Sequence, residues 1–208
     1  MKLRSFALAG VALAVLSSPA MAGSGWYLGV GAGLSSMDPV RYSHATPAFS
    51  GAVKQGTSAV FAGAVGYKFD GMFRLENEIG YSSHDAKTAG VTGSTQVKTD
   101  MFNIIADIGI YNDWKLSLGA GLGAGSVRES VLAAPFTLAV GEKTGLAWQG
   151  IAGISIPVTP QVDLFADYRF RSVELNQGYA TSYTLYNPIV VKGTHESNIL
   201  FGLRWFVQ

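Results

Sequence analysis

Hydrophobic and polar residues alternate with a period of two in several separate stretches of this chain. The last stretch, residues 198–208, is apolar at one parity and mostly small or polar at the other. Its apolar positions are Ile199, Phe201, Leu203, Trp205 and Val207. Because successive side chains of a strand point to opposite faces, this pattern predicts a strand with one apolar face. About ten such residues are enough to cross a thin outer membrane at a tilt.

Seven further stretches show the same alternation. They are residues 25–34, 59–69, 73–81, 97–110, 116–125, 146–156 and 162–170. The pattern is clearest in residues 116–125, where Leu and Ala alternate with Ser and Gly. Together with residues 198–208 these stretches predict eight strands.

The connections between the predicted strands alternate between long and short. Short turns are predicted at Asp70-Gly71, at Asn112-Asp113 and at residues 157–160. The long polar connections are predicted as loops at residues 36–57, 82–96, 126–143 and 172–194. Outer-membrane barrels have short periplasmic turns and long extracellular loops, whereas the connections of a soluble β-sandwich need not alternate. The chain is therefore predicted to be all-β, an eight-stranded antiparallel transmembrane β-barrel with four loops outside.

Residues 1–22 have the features of a cleaved secretory signal. Lys2 and Arg4 are followed by an apolar stretch at residues 6–16 and by the small-residue site Ala20-Met21-Ala22. The apolar stretch is shorter than the about 20 residues of a spanning helix, although an uncleaved anchor is the alternative. Residues 23–208 are then expected to form one outer-membrane β-barrel domain.

Charge and cysteine content exclude several classes of function. Without Lys2 and Arg4 the 15 basic residues become 13, against 14 acidic ones. This near-balance gives no reason to propose a nucleic-acid partner. The chain contains no cysteine, so disulfide and thiol chemistry are excluded.

The polar parity of the predicted strands would project charged side chains into the barrel. These residues are Arg74, Glu76, Glu78, Asp107, Lys115, Asp163, Asp167, Arg169, Glu196 and Arg204. Eight strands enclose an interior that side chains just fill, and buried charges persist only when they are paired. We therefore expect a lumen salt-bridge network that plugs the barrel; a narrow ion path between these residues is the alternative.

Aromatic residues cluster towards the ends of the predicted strands. They are Trp26, Phe69, Phe73, Tyr81, Tyr111, Trp114, Trp148, Phe170 and Trp205. Membrane barrels carry aromatic girdles at both interfaces, so these positions predict membrane-interface contacts. Ordinary packing on a sheet is the alternative.

Four motifs taken together resemble the opacity-type family of eight-stranded outer-membrane surface antigens. They are GWYLGVGAGL at 25–34, FRLENEIGY at 73–81, LGAGLG at 118–123 and ILFGLRW at 199–205. The resemblance implies a surface-exposed protein of the bacterial outer membrane with no catalytic centre and no cofactor. Its partners would be membrane lipid, lipopolysaccharide and host or envelope ligands of the loops. The barrel-assembly machinery would read residues 198–208, although the aromatic-x-Phe ending usual in that family is replaced here by Trp205-Phe206-Val207-Gln208.

A second motif, His195-Glu196-Ser197-Asn198, suggests an enzyme instead. It is similar to the His-x-Ser-Asn signature of outer-membrane lipid A deacylases. In that reading the catalytic residues would be Ser197 as nucleophile, His195 as base and Glu174 as the carboxylate, the arrangement used in acyl transfer. In that family, however, the acidic partner follows the motif, and no acidic residue follows Glu196 here. A polar strand start at the membrane surface, where His and Ser are ordinary, is the alternative, and the non-enzymatic interpretation is preferred.

The remaining histidines and glycine motifs predict no further chemistry. His44 and His84 fall in separate predicted loops without metal-ligand spacing, so no metal site is expected. The glycine repeats at 29–33 and 119–123 lie within predicted strands and lack the dinucleotide-binding spacing. No nucleotide cofactor is therefore expected.

Overall fold

The computed structural model describes residues 24–44, 49–133, 136–182 and 188–207. The predicted signal at residues 1–22 and the terminal Gln208 lie outside the described residues. The strands are β1 (Gly25–Met37), β2 (Val40–His44), β3 (Phe49–Val53), β4 (Ser58–Lys68), β5 (Phe73–Asp85), β6 (Val91–Tyr111), β7 (Trp114–Ala133), β8 (Phe136–Thr159), β9 (Val162–Tyr179) and β10 (Ile189–Phe206).

Eight of these strands form a closed antiparallel ring. The order is β1-β4-β5-β6-β7-β8-β9-β10, and β1 pairs with β10 over the register Tyr27–Phe206 to Met37–Glu196. Closure leaves these strands without an open edge. This matters in lipid, where every backbone N–H and C=O group needs a hydrogen-bond partner within the protein. The predicted eight-stranded barrel is confirmed, with β2 and β3 as an additional hairpin.

The outer surface of the ring carries a band of apolar side chains. The band ends near Leu34 in β1, Tyr81 in β5 and Ile199 in β10, which are 63%, 40% and 51% exposed. Such a band is the surface that a membrane barrel presents to lipid. The membrane-spanning segments are the parts of the ring strands inside this band. Within the described residues no helix is long and apolar enough to cross a bilayer.

The strands continue well beyond this band, which corrects the prediction of four long loops. The predicted loops at 82–96, 126–143 and 172–194 consist mainly of strand, and the one at 36–57 contains β2 and β3. In the stretches 126–143 and 172–194 the inward positions include the buried Val127, Val131, Val173 and Leu175, while Ser, Thr and charged residues occupy much of the outer face. The outward side chains of these continuations are polar because they face water instead of lipid. Their polarity therefore does not indicate loops.

These continuations and the β2–β3 hairpin form what we call the outer extension. Beyond the end of β1, strand β2 of the hairpin takes the place beside β10, and Tyr42 pairs with Val191. The chain after β3 then contacts β5, where the Gly56 N–H donates a hydrogen bond to the Asp85 carbonyl at 2.8 Å. Its interior contains an apolar core that includes Tyr42, Val53, Val127, Tyr179 and Val191, all buried.

Candidate functional site

The half of the lumen nearest the short turns is built around Arg74 of β5. Its Nη1 donates to Glu76 Oε2 at 2.7 Å, and its Nε donates to Asp107 Oδ2 at 3.1 Å. The Tyr27 hydroxyl donates to the same Glu76 oxygen at 2.8 Å. Near the rim, Lys115 Nζ lies 3.6 Å from Asp163 Oδ2. Each of these strands presents alternate residues inward, which is why the acids and the arginine meet.

The middle of the lumen holds a second group of charges centred on Glu78. Glu78 pairs with Arg169, and its Oε1 accepts from Arg171 Nη2 at 3.2 Å. Asp167 Oδ2 accepts from Arg169 Nη2 at 3.0 Å and from Arg204 Nη2 at 3.4 Å. All of these side chains are buried. Each carboxyl group therefore lies between two guanidinium groups.

A third group lies at the start of the outer extension. Glu196 Oε1 accepts hydrogen bonds from Ser82 Oγ at 2.5 Å and from His84 Nε2 at 3.0 Å. His84 Nδ1 donates to the Gly56 carbonyl at 2.8 Å, so the protonated ring donates to both Gly56 and Glu196. Burial disfavours the charged ring, but the hydrogen bonds to Glu196 and Gly56 outweigh it and hold the pKa of His84 above its ordinary value.

The structure thus places all ten of the charged residues predicted for the lumen on the inner face. Sequence reasoning missed Arg171, His84 and Tyr27, which complete the three groups. Arg171 lies one residue beyond the predicted end of its strand, although it continues the parity of Arg169. His84 lies in a stretch predicted as a loop, and Tyr27 is uncharged.

Glycines make room for the larger inward side chains. A Cβ at Gly66 would lie 2.3 Å from Tyr27 Cζ, and one at Gly202 would lie 2.4 Å from Phe165 Cζ. Arg204 stacks over the Phe165 ring at 4.2 Å from its centroid. A cavity of about 10 Å³ remains beside Gly31 and Arg204, room for about one water molecule. The interior is filled as eight strands require.

Glu129 is a buried acid of the outer extension, and no cation among the described residues forms an ion pair with it. Glu129 is buried, and its Oε2 accepts from the Tyr42 hydroxyl at 3.1 Å and from Thr95 Oγ1 at 2.9 Å. Its Oε1 is buried without a hydrogen bond. Burial raises the pKa of Glu129 to about 7, although both hydrogen bonds oppose the increase.

The three residues of the enzyme hypothesis lie on the outer surface, where each has another partner. The His195 ring stacks on Phe170 at 6.1 Å between centroids, and Ser197 Oγ lies 3.1 Å from the Tyr168 hydroxyl. Glu174 Oε1 accepts from Ser172 Oγ at 2.7 Å. Among the described residues no hydrogen bond joins Ser197 to His195, so a nucleophile–base pair is not formed. The described part of the chain also contains no cluster of three or more metal-ligating side chains.

The predicted interfacial aromatics all lie on the outward face of the ring. Apart from Phe170, which is half-buried beside His195, they are at least 38% exposed. Trp26 and Trp205 lie at the same end as Trp114, whereas Tyr81 and Trp148 lie towards the outer extension. Both ends of the apolar band therefore carry rings.

Comparisons with known proteins agree with this architecture. The sequence profile of a family described as "Outer membrane protein beta-barrel domain" matches residues 7–188. No curated protein matches the chain.

Three solved structures share the fold. Neisserial surface protein A is 19% identical, with a TM-score of 0.59 over 90% of this chain and 100% of that one. OprG from Pseudomonas aeruginosa is 10% identical, with a TM-score of 0.52 over 89% and 98%. AlkL is 11% identical, with a TM-score of 0.51 over 93% and 95%.

Proposed function

We propose that this chain, which belongs to the family of outer membrane protein β-barrel domains, is a non-enzymatic protein that binds partners at the cell surface through its outer extension. It is an integral protein of the outer membrane. One observation carries the proposal: the wall continues beyond the apolar band as an ordered structure with its own buried core. A barrel that served only to fill space in the membrane would not need this addition.

The orientation follows from the lengths of the connections. Asp70-Gly71 and Asn112-Asp113 lie at one end of the ring, and the outer extension lies at the other. Short turns in outer-membrane barrels are periplasmic, so the outer extension faces the cell exterior in this proposal. The exposed aromatics at both ends of the band then contact the two membrane interfaces. Residues 198–208 are the segment proposed to engage the barrel-assembly machinery.

A role as a pore is disfavoured by the contents of the lumen. The groups around Arg74, Glu78 and Glu196 occupy three successive levels of the interior. Above them, the apolar core of the outer extension adds a further layer. We propose that these charges act as an internal plug that holds the barrel in one shape, as buried paired charges can.

The β2–β3 hairpin supplies the contact surface in this proposal. Arg41, Ser50, Ala52 and Lys54 are exposed on it, and its backbone is held by β10 and by the chain near Asp85. A rigid framework that carries exposed side chains binds with a small loss of conformational entropy. The two cations favour partners with an acidic surface.

The test is adherence of cells that display the full chain. A strain that does not adhere would express the wild type, the variant Arg41→Glu/Lys54→Glu, or the control Asn112→Ser/Asp113→Ser at the opposite turn. Binding to cultured host cells and to immobilised acidic polysaccharide would be measured at equal surface amounts. We expect the hairpin variant to lose binding and the control to retain it. Binding no stronger than that of the strain without the protein would contradict the proposal.

A further inference from the structure

A shallow groove lies on the lipid-facing side of β4 and β5, near the outer end of the apolar band. Its volume is about 180 Å³, and Phe61, Ile79 and Tyr81 form its rim. Gly63 pairs with Ile79 and contributes no side chain to the wall. A Cβ at Gly63 would meet only Ile79 Cγ1, at 3.8 Å. The groove therefore exists because one outward position lacks a side chain.

A polar edge runs along the β6 side of this groove. Asp100 pairs in register with Ile79, and Lys98 pairs with Tyr81. Asn77 lies two residues from Ile79 on the same face, and its Nδ2 donates to Asp100 Oδ1 at 2.7 Å. Asn77, Asp100 and Lys98 are all exposed on the outside of the wall. Three polar side chains thus border an apolar groove on a surface that otherwise faces lipid.

Polar groups on a lipid-facing surface lower the stability of a membrane protein unless they have partners, so they indicate a function. The hydrogen bond between Asn77 and Asp100 uses one amide hydrogen and one carboxyl oxygen. The second carboxyl oxygen and the amide oxygen remain able to accept. A ligand that lies here would therefore place a hydroxyl or an N–H at the level of Asp100.

Lys98 provides a positive charge above that level. Its Nζ lies 3.9 Å from Glu142 Oε1, and the two side chains are 54% and 44% exposed. An exposed pair at this distance contributes little, so Lys98 is available to a phosphate. A cation close to the membrane surface also attracts anionic lipid.

We propose that the groove and its polar edge bind one molecule of a phosphorylated glycolipid, the lipid A part of lipopolysaccharide. One acyl chain fills the space over Gly63 between Phe61 and Ile79. A hydroxyl or amide group of the acyl chains donates to Asp100, and a phosphate pairs with Lys98. A glycerophospholipid has the phosphate and the chains, but its acyl chains carry no hydroxyl or amide donor. This inference rests on the outer-membrane location and is independent of the binding role of the hairpin.

The test counts glycolipid molecules that remain bound to the purified protein. The full chain would be extracted from outer membranes with a mild non-ionic detergent and examined by native mass spectrometry. The first variant is Gly63→Leu, which fills the groove. Its matched control is Gly150→Leu, because Gly150 also faces outward and a Cβ there has nothing within 4 Å. Gly150 lies on β8, away from the groove.

We expect the wild type and Gly150→Leu to retain one lipid A molecule per barrel, and Gly63→Leu to lose it. Lys98→Gln should weaken occupancy about fivefold, the effect of one cation close to the membrane surface. Folding would be checked by resistance to SDS without heating. Should Gly63→Leu fail that check, Lys98→Gln and Asp100→Leu provide the same comparison.

Three results would overturn the proposal. Equal occupancy in Gly63→Leu and the wild type would show that the groove does not hold the lipid. Loss of a bound glycerophospholipid, with lipid A unchanged, would assign the groove to another lipid class. Disulfide crosslinks between copies carrying Ile79→Cys would show that a second copy of the chain covers it.

Discussion

The Tyr42 hydroxyl donates a hydrogen bond to Glu129 Oε2 at 3.1 Å, although the two residues are 87 positions apart. This contact joins the β2–β3 hairpin to β7 inside the apolar core of the outer extension. Burial without a cationic partner favours the protonated form of this carboxyl group more than the two hydroxyl donors favour its charged form. The stability of the outer extension should therefore depend on pH.

The first prediction concerns that dependence. The folded protein keeps the Glu129 proton up to about pH 7, whereas the unfolded chain releases it near pH 4.5, its ordinary value. Because the folded state binds more protons between these values, the free energy of unfolding should fall as pH rises from 4.5 to 7, by about 3 kcal/mol. Glu129→Gln should remove this slope, and the exposed control Glu142→Gln should keep it. Urea unfolding in lipid vesicles at several pH values measures both.

The second prediction concerns the arginines of the lumen. Glu78→Gln leaves Arg169 and Arg171 short of a carboxyl partner in a buried site. Removal of one partner of a buried ion pair typically lowers the free energy of unfolding by about 3–5 kcal/mol. The exposed pair of Lys98 and Glu142 gives the comparison, since its loss should cost less than about 1 kcal/mol. Similar urea midpoints for Glu78→Gln and Glu142→Gln would contradict the importance of burial here.

The third prediction concerns the space above Gly66. In Gly66→Ala the new methyl group would displace the Tyr27 ring and break its hydrogen bond to Glu76. Overpacking of this kind typically costs about 1–3 kcal/mol of stability. Gly150→Ala is the control, because its Cβ meets open space. In a Tyr27→Ala background the Gly66→Ala change should cost much less, and an undiminished cost would show that the two positions are not coupled.

The fourth prediction concerns conduction. Because paired side chains and the apolar core fill the interior, the purified protein in a planar lipid bilayer should show no steady single-channel conductance. A larger barrel of the porin type, reconstituted in the same way, serves as the positive control. Reproducible conductance steps from the wild type would support the narrow ion path.

The fifth prediction concerns the enzyme hypothesis. Ser197 lies against the Tyr168 hydroxyl and His195 lies against Phe170, so neither activates the other. Mass spectra of lipid A from cells that express the wild type should match those from cells that express His195→Ala. Loss of an acyl chain that depends on both His195 and Ser197 would establish an esterase and contradict the non-enzymatic proposal.

Residues 116–125 show how much of this fold the sequence alone could predict. Their strict alternation reappears as β7, where Leu118 and Leu122 face outward. The same rule placed Glu76 and Arg204 in the lumen, because a period of two assigns every residue of a strand to one face. The eight strands of the ring, and the inward or outward side of the residues within their predicted spans, were thus determined by local pattern alone.

The outer extension and the partners of the lumen charges depended on the tertiary structure. The polar side chains at residues 126–143 show that the outer face meets water instead of lipid there. They do not show whether the backbone is strand or loop, so β7 and β8 were predicted too short. Glu78 meets Arg171 across 93 positions because the register of the whole ring brings them to one level. No local pattern contains that register, since it is set when the ring closes and its interior side chains pack together.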